Sequence, residues 1–169
     1  MFRQLLARIE KNRTKRFVVN IQAWYKTCSL LTKTYGDALY DQDEFDADIG
    51  IMLEKTDRLL FQLSSYTSEA LGLLRRKEPA LAKKVNDLST QVYRLRNGTT
   101  SFLIRSQRSR FFTSADPSQE SRGGQAYYRA LEEVGFASRR LQRELEKELK
   151  EIWVELQGPI LTAQLSLAA

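Results

Sequence analysis

Apolar residues recur through 125–157 at Leu131, Val134, Leu141, Leu145, Leu149, Ile152 and Leu156, in steps of three, four or seven. This is helical periodicity: one apolar stripe on a charged helix, which other helices must cover. Three further segments carry the same rhythm. Phe17, Ile21, Trp24, Cys28, Leu31 and Tyr35 predict a first helix over 2–35. The polar run EKNRTKR at 10–16 interrupts its face. That run fits either a loop with Thr14 as N-cap or one continuous helix with a solvated basic segment. Continuity is preferred because it matches the lengths of the other helices. Gly36 follows Tyr35 where a helix-ending glycine belongs.

Phe45, Ile49, Met52, Thr56, Leu59, Leu63, Tyr66, Ala70 and Leu73 predict a second helix over 43–77, capped by Asp43. Acids crowd its first turns, and Arg75, Arg76 and Lys77 close it, so both ends complement the helix dipole. Pro79 suits the first position of a third helix over 79–110, carried by Leu81, Val85, Leu88, Val92, Leu95, Thr99 and Phe102. Asn97-Gly98 is its soft point, since a mid-helix glycine costs about 1 kcal/mol relative to alanine. The apolar phase nevertheless runs through it. Residues 113–124, TSADPSQESRGG, look like a linker. Gly158-Pro159 is expected to stop the fourth helix (125–157), leaving an uncharged tail over 158–169.

Four long helices with short connections predict an all-α, antiparallel up-down-up-down four-helix bundle forming a single domain over 1–157. Near-heptad spacing predicts coiled-coil-like crossing angles of about 20°.

Composition narrows the chemistry. The 169 residues contain no histidine, which removes His-based acid–base catalysis, His-activated nucleophiles and His-ligated metals. Cys28 is the single cysteine, so no internal disulfide is possible, and its core position reads as a small hydrophobe. The run DQDEFDAD lacks the spacing and the glycine of a calcium loop. Neither a catalytic residue nor a cofactor or small-molecule substrate is inferred, and a non-enzyme is expected. A cytoplasmic location is the default, with the basic N-terminus offering mitochondria as the alternative.

A net charge of +6 leaves room for an anionic partner. Two basic surfaces are candidates. Arg94, Arg105 and Arg108 share a sector of the third helix away from its apolar stripe. Arg75, Arg76, Lys77, Lys83 and Lys84 cluster at the corner between helices two and three, near the basic start of helix one. Solvated faces and internal neutralisation are the plainer readings of both. Glu144, Glu148, Glu151 and Glu155 form a row beside the core positions of helix four, placed as seam ion-pair partners for a basic neighbour. Phe2, Leu5, Leu6 and Ile9 are expected to extend the core, which makes a membrane contact by this end the lesser alternative. Trp24 and Trp153 read as core or interface anchors. The leading expectation is an interaction or assembly module with a protein partner or a second copy, using the uncharged tail and the linker. Nucleic-acid or other polyanion binding is the alternative.

Overall fold

The computed structural model describes residues 2–40, 49–115 and 122–169, with side chains from 3–38, 51–106 and 128–169. Its helices are α1 (Phe2–Tyr40), α2 (Ile49–Lys77), α3 (Pro79–Ala115) and α4 (Arg122–Ala168). They pack as an all-α four-helix bundle. Paired levels fix the directions. Arg96 and Tyr93 of α3 meet Asp57 and the Leu60 carbonyl of α2. Lys84 and Gln91 of α3 meet Glu155 and Glu148 of α4. Tyr25 of α1 stacks on Trp153 of α4 at 4.1 Å, while Gly36 meets Gln142. In each pair one number rises as the other falls, so sequential neighbours run antiparallel.

The predicted apolar series largely form the core. All six residues from Phe17 to Tyr35 and all seven from Leu81 to Phe102 are buried. In α2 the stripe is turned slightly: Leu60, Thr67, Leu71 and Leu74 are buried, whereas Leu59, Tyr66 and Leu73 are only half-buried. Thr67 tolerates this because its hydroxyl donates to the Leu63 carbonyl at 2.7 Å and meets Ser89 Oγ at 3.1 Å. Ser89 Oγ also accepts the indole N–H of Trp24 at 2.8 Å and donates to the Val85 carbonyl. Every polar hydrogen of Trp24, Thr67 and Ser89 thus has an acceptor where the three helices meet inside the core, at little cost for burial.

Several predicted boundaries are corrected. Gly36 does not end α1, which continues to Tyr40; with Ala38 also buried, the helix gains more by extending its stripe. Gly36 instead gives room to α4, since the Gln142 side chain occupies the place a β-carbon would take. The third helix is continuous through Asn97-Gly98 and extends to Ala115, so 113–115 belong to it. Gly98 admits Ser138, whose hydroxyl would lie 2.9 Å from an added β-carbon. Residues 122–124 likewise belong to α4. The Asp43 cap and the middle of the predicted linker lie outside the described residues. Gly158-Pro159 does not stop α4: Leu156, Ile160 and Ala163 are buried on one continuing stripe. Burying these side chains offsets the hydrogen bond that proline removes.

Gly135 and Gly72 give a paired test of packing against propensity. A β-carbon at Gly135 would sit 2.8 Å from the buried Phe102 ring, whereas one at Gly72 meets nothing within 4 Å. Both substitutions to alanine gain helix propensity of up to about 1 kcal/mol. Gly135→Ala must also displace the ring, an overpacking cost of about 1–3 kcal/mol. Chemical denaturation is expected to rank Gly72→Ala above wild type and Gly135→Ala below it.

Candidate interaction surface

The α2–α3 corner falls short of the bundle end. Phe17 of α1 shares a cleft of about 320 Å³ with Leu74, Lys77 and Glu78 at the corner and with Pro159 and Ala163 of α4. Upstream of that level, residues 3–13 of α1 are exposed at every position, and Thr14 is the first buried side chain. The register set by Tyr25–Trp153 and Gly36–Gln142 brings the last turn of α4 level with about residues 10–13 of α1, and the turns bearing Leu5 and Leu6 run past α4 as well. Two helices therefore continue where the bundle has four, and α1 forms an overhang.

The overhang overturns the expectation that its aliphatic residues extend the core. Leu5 is 55% exposed, Leu6 47% and Ile9 38%. The cause is positional. Eighteen residues make about five full turns, so Leu6 lies on the same line of α1 as Trp24, and Ile9 on that of Thr27. Trp24 is 0% exposed and Thr27 8%, because the neighbouring helices cover that line deeper in the bundle. Tyr25 marks the side of α1 facing α4, and the Thr27 line lies on the opposite flank. At the overhang α2 has already ended at Lys77. The apolar face continues after its partner has stopped.

Basic side chains surround this face. Arg3, Arg8, Lys11, Arg13, Lys15 and Arg16 are all exposed, with Glu10 the one acid among residues 3–16. At 100° per residue, Arg3 and Arg8 flank the Leu5–Leu6–Ile9 sector on its two sides, while Arg13 and Arg16 continue it. Arg75, Arg76, Lys77 and Lys83 are exposed at the adjoining corner. Lys84 is committed elsewhere: its ammonium donates to both oxygens of Glu155 at 2.6 and 2.9 Å. Half-exposed, that pair contributes little to stability.

The glutamate row serves mixed ends. Glu155 bridges to α3 through Lys84, and Glu148 accepts from Gln91 of α3 at 3.2 Å. Glu144 and Glu151 face Arg140 and Lys147 of their own helix at 3.7 and 3.9 Å. On the predicted arginine face of α3, Arg94 is exposed and Arg105 has an interaction partner. The Arg108 side chain lies outside the described residues. The trio as a whole therefore lies outside what the described residues cover.

The uncharged tail is not a separate segment. It is the end of α4, with Ile160 and Ala163 in the core and Leu161 and Leu165 exposed on the outer side. Truncating 160–169 would open the core as well as remove surface. Trp24 is a core residue and Trp153 an α1–α4 contact. Burial pushes the Cys28 thiol far above its ordinary value, holding it in the unreactive protonated form. Among the described residues, no three His, Cys, Asp or Glu side chains gather as a metal site, and no helix is long and apolar enough to cross a membrane. In comparisons with protein-family models, curated proteins and solved structures, the chain matches none.

Proposed function

We propose that this protein is a non-enzymatic interaction or assembly module, a rigid helical bundle that works through its overhanging end. One observation carries the reading: α1 continues a core-type apolar face beyond the point where α2 ends, leaving Leu5, Leu6 and Ile9 in solvent. Among the described residues most core-phase positions elsewhere are buried against one another, and Phe61, Phe136, Leu161 and Leu165 are among the apolar side chains exposed off those stripes. A contiguous apolar face with a charged rim is the usual form of a docking surface. The absence of histidine and the protonated, buried Cys28 agree with a role without covalent chemistry.

The test compares wild type with Leu5→Ser/Leu6→Ser/Ile9→Ser. All three side chains are exposed, so helicity and melting temperature are expected to be unchanged. Solution mass and recovery of binding partners from the source extract should both respond if the overhang is the working surface. Identical behaviour of the two proteins in every association would sink the proposal.

Polyanion binding is the second reading, supported by the exposed Arg75, Arg76, Lys77 and Lys83 at one corner. It requires binding to a labelled nucleic acid that weakens steeply with salt and is lost when those four residues become alanine.

A further inference from the structure

The apolar face of the overhang is flanked by positive charge and runs into it along α1, and both features restrict what can cover it. Its described apolar side chains, Leu5, Leu6 and Ile9, span little more than one turn of α1. On the same line the next exposed side chains are Arg13 and Arg16. A helical partner continuing the course of α2 would need an apolar stripe of several turns to repay its ordering. Here it would meet arginine after two turns. A second copy of the chain would bring an identical basic rim against this one, and like charges at close range oppose that pairing.

A fluid, negatively charged apolar boundary meets neither objection. We propose that the overhang docks on the surface of an anionic lipid bilayer. Leu5, Leu6 and Ile9 enter the interface, and the basic rim meets the lipid phosphates. The proposal rests on the reading of the overhang as the working surface. Each rim residue then has a place. Arg3 and Arg8, on the two flanks of the apolar sector, have long aliphatic stems that allow their guanidiniums to rise to the headgroups. Arg13 and Arg16 lie about 6–10 Å further along the axis from Ile9 on the same side, within the thickness of a headgroup layer when the bundle approaches obliquely. The α2 side toward which the face points also carries Arg75, Arg76 and Lys77 at the end of that helix. Docking is peripheral, since three aliphatic side chains sink only into the headgroup–acyl boundary.

Co-sedimentation of the full chain with vesicles tests this. One set is phosphatidylcholine with about one-third phosphatidylserine, the other phosphatidylcholine alone. Wild type is expected to bind the anionic vesicles at least about tenfold more tightly than the neutral ones, and to release as salt is raised. Leu5→Ser/Leu6→Ser/Ile9→Ser should lose at least about tenfold in binding with its melting temperature unchanged. Failure of wild type to bind anionic vesicles would overturn the proposal. So would equal binding by the triple variant. If vesicles are ignored while the variant abolishes self-association or nucleic-acid binding, the bilayer is the wrong occupant, but the overhang remains the working surface. If the variant alters none of these, both the inference and the reading beneath it fail.

Discussion

Trp24→Ala is expected to lower the unfolding free energy by about 3–5 kcal/mol, the range for removing a fully buried aromatic side chain. Trp24 is 0% exposed and belongs to the main core cluster. Its removal leaves a cavity at the level where α1, α2 and α3 meet, and the surrounding leucines can close it only in part. The indole N–H also donates to Ser89 Oγ at 2.8 Å, and tryptophan can only donate, so Ser89 must be the acceptor. Ser89 keeps its own bond to the Val85 carbonyl and its contact with Thr67 after the substitution. The loss is therefore mainly volume. Trp24→Phe, which keeps most of the volume and removes the N–H, should cost roughly 1–2 kcal/mol. With typical domain stabilities of about 5–15 kcal/mol, the alanine variant should show a large drop in denaturation midpoint. A phenylalanine variant as damaged as the alanine variant would transfer the weight from packing to the hydrogen bond.

The periodicity of apolar residues revealed the bundle because its helices are long and mostly carry their stripes without a break. It misplaced the α2 face by a fraction of a turn because Thr67 is polar. A buried threonine that bonds the carbonyl one turn back is invisible to an apolar pattern. Local stop signals misled for a related reason. Gly36 and Gly158-Pro159 have the chemistry of helix ends, but Ala38 lies beyond the first and Ile160 and Ala163 beyond the second, all in core phase. The steps Leu156, Ile160, Ala163 were present in the sequence and outweigh a single missing N–H.

The proposed working surface was less legible than the fold. The residues of the overhang are plain in the sequence, and their apolar character suggested core. Whether Leu6 is covered as Trp24 is depends on where α2 ends relative to α1. That is a matter of register between helices, settled by contacts such as Tyr25 on Trp153. One signal was available. The run at 10–16 breaks the apolar face of α1, while α2 and α3 carry theirs to the corner and α4 carries its own past that level through Ile160 and Ala163 without such a break. A segment cut off from the main core by basic residues belongs to a different surface.

High pH should weaken this protein through Tyr35, and Tyr35→Phe should remove that weakness. Burial pushes the Tyr35 hydroxyl from 10.0 up to about 12, with the nearby positive charge of Arg96 drawing it partly back. Thr56 spends its own proton on the Met52 and Leu53 carbonyls, and the Tyr35 hydroxyl has no hydrogen-bond partner among the described residues. Below pH 10 the hydroxyl is protonated in both folded and unfolded chains, so this group makes stability independent of pH. Between pH 10 and about 12 the unfolded chain releases its proton while the folded chain holds it. The unfolded state is then favoured, and stability falls as pH rises. Two tenfold steps in proton affinity correspond to about 3 kcal/mol at the top of that window. Cys28, raised by burial from 9.0, adds a loss of the same sign that begins lower. At neutral pH the phenylalanine variant should match or exceed wild type, because the hydroxyl it removes is buried without a partner. Urea unfolding across the alkaline range should give a shallower decline for Tyr35→Phe above pH 10. Parallel declines in the two proteins would mean that Tyr35 ionises as freely in the bundle as in the unfolded chain.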